Sequence, residues 1–274
     1  MTMPTVRFGE YDVSRLIIGG NPFRGNSHYS DELNADMWDY HGTGDTVIES
    51  WFECEKQGIT AMQARGDQFI MDWVDRYREQ GGKCHWFVQT ASEWKGGDVP
   101  DNIHTLAKHG PIGIYHHGSL TDSLWKSGQI EKVREYLKVI RDEGLLVGLG
   151  THMPEVLEYA EEKDWDVDFY MACAYNLSKQ DRDSYIVTGK QSEEQYYDED
   201  REIMAAFCRK TDKPCIFFKI LAASRKCESP ETVREAFQWA FDHIKPNDIV
   251  DVGVFQKYGN QIAENAEHVR AVTR

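Results

Sequence analysis

The sequence predicts an eight-fold (β/α) barrel, and three observations carry that expectation. Eight short apolar runs alternate with longer stretches of helical periodicity along all 274 residues, the pattern of repeated β/α units. The short runs are apolar nearly throughout, as parallel strands covered on both faces must be. Each run is followed by a helix, which favours a closed barrel over an open sheet.

The elements follow in order. Ser14 to Gly19 (SRLIIG) is the first strand. Thr46 to Gln57 is an amphipathic helix stopped by Gly58, a residue suited to the left-handed C-terminal position. Ile59 to Gln63 is strand two, Asp67 to Gln80 its helix, closed by Gly81-Gly82, and His85 to Gln89 strand three. Asp101 is expected to cap a helix running to Lys108. Ile112 to Tyr115 is strand four, Ile130 to Glu143 a strongly periodic helix stopped by Gly144, and Leu145 to Leu149 strand five. Then come the helix Pro154 to Lys163, the strand Asp168 to Ala172 and the helix Asp198 to Cys208. Cys215 to Ile220, Pro230 to Ile244, Ile249 to Val254 and Gly259 to Arg270 complete the set. One barrel domain over residues 1–274 is expected, with two long inserts at about 21–45 and 176–197. Both fall on the face where barrel enzymes keep their sites, and loops of that length without structure of their own are expected as lids.

Composition narrows the function. A net charge of -15 disfavours nucleic acid and anionic membranes, which demand a basic face. No stretch reaches the roughly 20 apolar residues of a membrane span, and Met1 to Glu10 lacks the apolar core of a signal peptide. A cytoplasmic protein with a small-molecule partner is expected; the oligomeric state is not readable. The six cysteines, Cys54, Cys84, Cys173, Cys208, Cys215 and Cys227, form no C-x-x-C pair and are expected as buried, reduced thiols.

Several segments, in order and spacing, resemble the aldo-keto reductases. Val13-Ser14-Arg15-Leu16-Ile17-Ile18-Gly19-Gly20 is similar to that family's VSRLGLGT opening. Ile114-Tyr115-His116-His117-Gly118 is similar to L-x-x-L-H-G, and Phe218-Lys219-Ile220-Leu221-Ala222 to M-K-P-L-A. Arg141-Asp142-Glu143-Gly144, running into Val147 to His152, is similar to K-x-x-G-K-I-R-x-I-G-V-S-x-H. Gln261-Ile262-Ala263-Glu264-Asn265 is similar to x-I-x-E-N. The resemblance implies an Asp-Tyr-Lys-His tetrad reducing a carbonyl with NADPH. Here the Asp position holds Gln63 and the Lys position Gln89, no Tyr lies near Asp67 or Gln68, and only His117 matches. Tyr29 or Tyr40 on the first insert is the remaining source of a phenol. Of the cofactor residues only the adenine-contacting pair, Glu264-Asn265, is retained; the amide-holding pair maps to Gly150-Thr151 and the cationic clamp to Phe255 and Gln261, with Lys257 nearby.

The strand ends supply the site residues. His28, Gln63, Arg65, Gln89, His116, His117, His152, Tyr175, Asn176, Lys219 and Arg225 are expected around the rim. Neighbours on a strand point opposite ways, so only one of His116 and His117 can face the pocket; the resemblance selects His117, the expected acid/base, and leaves His116 to pack against a helix. Lys219 is the second catalytic candidate: it would bind substrate, pair with Asp251, or act covalently through a Schiff base. Gln63, Arg65, Gln89, His152, Asn176 and Arg225 would bind a sugar-like or hydroxy-acid substrate. No metal is assigned; His28, His117 and His152 are the candidate ligands should a divalent ion bind, with Asp67 as a possible carboxylate. Three functions stand: a divergent enzyme without the reductase tetrad, an NAD(P)H-dependent oxidoreductase with a displaced proton donor, and a non-catalytic binding protein.

Overall fold

A computed structural model describes residues 2–179, 181, 184–190 and 194–273. Eight parallel strands close on themselves. Two strands precede them, β1 (Thr5–Phe8) and β2 (Tyr11–Ser14), and the barrel is built from β3 (Leu16–Gly19), β4 (Ala61–Arg65), β5 (His85–Gln89), β6 (Gly113–His116), β7 (Leu146–Thr151), β8 (Phe169–Cys173), β9 (Cys215–Phe218) and β10 (Ile249–Gly253). β10 pairs with β3 and closes the ring. This is the (β/α)8 architecture the alternation predicts.

Strands β1 and β2 form an antiparallel hairpin that the sequence reading passed over. Gly9, at φ 57°, opens its two-residue turn. Phe8 and Val13 are carried into the floor of the barrel. There Phe8 meets the rings of Phe87 at 5.5 Å and Phe169 at 6.0 Å, edge to face, the geometry aromatic quadrupoles favour. Gly148 on β7, paired with Phe169, leaves room for two side chains: a Cβ there would lie 2.4 Å from the Phe169 ring and 2.5 Å from Tyr115 Cβ. The second, larger core lies between strands and helices, with Trp51, Trp86 and Trp165 all buried.

Element boundaries moved where local chemistry was misread. Asp98, not Asp101, caps the third barrel helix: its side chain accepts from Asp101 N, and the helix runs Val99–Ala107 with a proline in its first turn. An unexpected helix, Gly118–Lys126, follows β6 directly. The insert 21–45 is not structureless; it holds a 3-10 turn, Pro22–Arg24, and a helix, Asp31–His41, capped by Ser30. In the insert 176–197 a short helix spans Tyr185–Thr188, and residues 180, 182, 183 and 191–193 lie outside the described residues. Five cysteines are free and buried as expected, but Cys227 is exposed. Among the described residues no helix is long and apolar enough to cross a membrane.

Candidate active site

The C-terminal ends of the strands open on a cavity of about 1160 Å³. Gln63, Arg65, Gln89, His117, His152 and Lys219 all line it, as does His28 from the first insert. His116 turns away: its Nδ1 lies 2.7 Å from Thr121 Oγ1 and its ring stacks on Tyr136 at 5.5 Å. The alternation along β6 therefore sorts the two histidines as expected.

Two expected substrate ligands are placed elsewhere. Asn176 lines a separate small pocket behind the barrel rim, where its N–H donates to Asp200 and its Oδ1 accepts from Ser178 N. Arg225 spends its guanidinium on backbone carbonyls, including His28 O at 3.0 Å, and lies over the rings of Tyr196 and Tyr29. It fastens the first insert down rather than lining the cavity. Neither Tyr29 nor Tyr40 lines the cavity.

A phenol does, and the reductase template pointed away from it. Tyr115 projects from β6 into the barrel, accepting a hydrogen bond from Gln63 Nε2 at 2.6 Å and donating one to Gln89 Oε1 at 3.0 Å. The two glutamines standing where the family has Asp and Lys are thus the tyrosine's hydrogen-bond partners. Burial, and then the nearby Asp251, push the Tyr115 hydroxyl well above the usual phenol range. It stays protonated at neutral pH.

The most organised group is one the sequence reading missed. Asp122, on the unexpected helix after β6, is completely buried. Its carboxylate accepts from His152 Nδ1 at 2.7 Å, from the Thr151 and Ser178 hydroxyls, and from His152 N at 3.3 Å. A carboxylate accepts only, so Nδ1 of His152 carries the proton and Nε2 is left as a base. Gly150 and Gly118 make the close approach of β7 to this helix possible: a Cβ on Gly118 would sit 3.3 Å from Thr151 Cα, and one on Gly150 3.3 Å from Gly118 N.

Burial sets the charges of the remaining groups. It drives His117 well below the ordinary histidine value, with Arg65 adding to the effect, so His117 is a neutral imidazole whose Nδ1 has no partner. Asp251 is pushed up to about 8 by burial, and its Oδ1 is likewise unpartnered. For His28, burial and the Lys219 charge lower the imidazole to about 4 against the pull of Glu194. Burial alone would raise Glu194; the neighbouring His28, Lys219 and Tyr196 instead bring it to about 2. Glu194 Oε1 is 3.4 Å from His28 Nδ1, and Tyr196 donates to Glu194 Oε2 at 2.6 Å. Lys219 does not pair with Asp251; no carboxylate among the described residues comes within 4.0 Å of its Nζ, which has no hydrogen-bond partner. No three His, Cys, Asp or Glu side chains among the described residues converge on a point that could hold a metal, the expected His28, His117, His152 triad included. Asp67 is engaged by Arg24 at 2.8 Å.

The sequence matches no protein-family model and no curated protein. Solved structures share the fold. A mutant of Gox0644 in complex with NADPH is similar over 100% of this chain and 93% of its own, with 12% identity and a TM-score of 0.58. A mandelate oxidase mutant with an FMN adduct covers 99% and 78%, with 12% identity and a TM-score of 0.55. The dihydropteroate synthase of Xanthomonas albilineans covers 98% and 96%, with 11% identity and a TM-score of 0.54. At such identities the likeness establishes the barrel and leaves the chemistry to the site itself.

Proposed function

We propose that the chain is an enzyme that moves protons on a small, oxygen-rich substrate, sugar-like or a hydroxy acid, with His152 as the base. One observation carries this reading: an imidazole oriented by a buried carboxylate faces a cavity whose residues hold unpartnered polar atoms. Lys219 Nζ, His117 Nδ1 and Asp251 Oδ1 all lack hydrogen-bond partners. Buried polar atoms are normally paired, and a ligand with hydroxyl, carbonyl and acid oxygens would pair all three kinds. The carboxylate fixes the tautomer of His152 and stabilises the imidazolium that forms when Nε2 takes a proton. Asp251, protonated by burial, supplies an acid on the same cavity. His117, neutral beside Arg65, is better suited to hydrogen-bonding the substrate than to carrying a proton.

The aldo-keto reductase reading was tested against the same cavity, which does extend to Glu264 and Asn265. The residues present do not fit NADPH. The Thr151 hydroxyl, at the amide-holding position, is committed to Asp122. Lys257 is paired with Asp36. The far end of the cavity also carries Glu228 and Glu267, charges that repel a 2′-phosphate. No reduction step is therefore derived.

The test is deuterium exchange from D₂O into a panel of sugars and hydroxy acids, followed by NMR. The parent protein is expected to exchange a carbon-bound proton of at least one member, and His152→Gln to slow this by about 10²- to 10⁴-fold. Equal exchange by both proteins overturns the assignment. Ligand-induced stabilisation without exchange in the parent protein would make the chain a binding protein.

A further inference from the structure

Lys219 occupies a costly backbone position. It sits at φ 62°, just past β9, and three further non-glycine residues follow in the left-handed region: Ala222 at 48°, Ala223 at 46° and Ser224 at 74°. A side chain with a Cβ is strained in that region, and strain of this kind collects where a side chain must be held in one place. The side chain so held is an amine in the cavity wall. Its Nζ is buried and without a partner among the described residues, and the Tyr196 ring centroid is 5.9 Å away. The Cys173 thiol beside it offers no counter-charge, since burial pushes it up to about 12. Burial lowers Lys219 itself from the usual lysine range, with Glu194 opposing. The His152 ring lies 6.0 Å from that of Phe218, the residue before Lys219, and both the imidazole and the amine line the cavity.

We propose that Lys219 is the nucleophile of this site and forms an imine with a small aldehyde or ketone that carries hydroxyl or acid oxygens. The inference rests on the proton-transfer reading and names its substrate class. The balance closes without a co-reactant. The ammonium gives one proton to His152 Nε2, and the amine attacks the carbonyl carbon, forming the C–N bond. The carbonyl oxygen takes a second nitrogen proton to become the carbinolamine hydroxyl. His152 returns its proton to that hydroxyl, which leaves as water while the nitrogen lone pair closes the C=N bond. One ammonium and one carbonyl become one protonated imine and one water. The imine then withdraws electrons from the adjacent carbon, whose proton His152 is placed to take.

Formaldehyde tests this without knowledge of the natural substrate, being small enough to reach any cavity. The whole protein would be exposed briefly to formaldehyde, quenched with borohydride at timed intervals, and its lysines ranked by peptide mass spectrometry. Lys219 is expected to be methylated at least about ten-fold faster than exposed lysines such as Lys138, because more of a desolvated amine is uncharged at neutral pH. Labelling no faster than Lys138 overturns the inference. Lys219→Arg, which keeps the cation, is expected to abolish only that labelled peptide while retaining the parent melting temperature. In His152→Gln, Lys219 should remain ahead of the surface lysines but react more slowly. An unchanged rate there would count against His152 as the proton carrier and not against the lysine.

Discussion

Replacing Asp122 with alanine is expected to destabilise the protein by about 3–5 kcal/mol, because it leaves several buried donors unpaired at about 1–3 kcal/mol each. At roughly 2–4 °C per kcal/mol for a chain of this size, the melting temperature should fall by about 10 °C. The carboxylate lies wholly inside and serves the Thr151 and Ser178 hydroxyls and both the ring and backbone nitrogens of His152. Alanine strands those donors in a space no longer polar. Asp122→Asn keeps volume and one acceptor oxygen, so it should fold better than the alanine variant. It also offers an amide donor where the imidazole needs an acceptor, so it should still lose the His152 function. Calorimetry on the two variants separates these effects. A melting temperature unchanged in Asp122→Ala would mean that the network contributes nothing to the fold.

Acid is expected to cost the protein on the order of 5 kcal/mol between pH 7 and pH 5. Burial holds His28 and His41 at about 4 and His116 at about 3 in the folded state, and lowers His117 well below the ordinary histidine value. In the unfolded chain each returns to about 6.5. Between those values the unfolded state binds protons that the folded state refuses, so the stability is fully present above about pH 6.5 and is lost as pH falls through the window. Asp251 acts in the opposite sense. Its folded value of about 8 lies above the unfolded one, so it favours folding at low pH and offsets about one of the four imidazoles. The net loss is comparable with the whole stability of an ordinary domain, about 5–15 kcal/mol. Urea midpoints measured at pH 7, 6 and 5 should therefore fall steeply, and His116→Gln should flatten the slope by about 1 kcal/mol per pH unit averaged over that range. A midpoint constant across that range contradicts the assigned burial of these histidines.

What could be read from the chain, and what could not, divides along physical lines. The barrel was legible because apolar runs such as Leu16 to Gly19 and Cys215 to Phe218 sit between periodic helices, and burial on two faces leaves no other use for them. The β1–β2 hairpin carried a signal too: Val6, Phe8, Tyr11 and Val13 alternate about Gly9. It was passed over because the first barrel strand was taken to begin at Ser14. His117, His152, Gln63 and Lys219 line the cavity, as residues at strand ends of a barrel are expected to. Asp122 was not legible, because it comes from a helix between Tyr115 and Ile130 that was not anticipated, and only three-dimensional closure brings it to β7. Glu194 was missed for the same reason, within an insert read as polar loop. Tyr115 was in plain view, but a phenol was sought near Asp67 on the strength of the reductase pattern, whereas here it stands on β6.

The tautomer of His152 tests the central claim most directly. Nitrogen-15 NMR of the histidine-labelled protein near neutral pH, with His152→Gln used to assign the signal, should show Nδ1 protonated with its proton far downfield in the hydrogen bond to Asp122, and Nε2 bare. That downfield proton should disappear in Asp122→Asn. A His152 ring carrying its proton on Nε2 in the parent protein would contradict the account, because the nitrogen facing the cavity could then accept nothing.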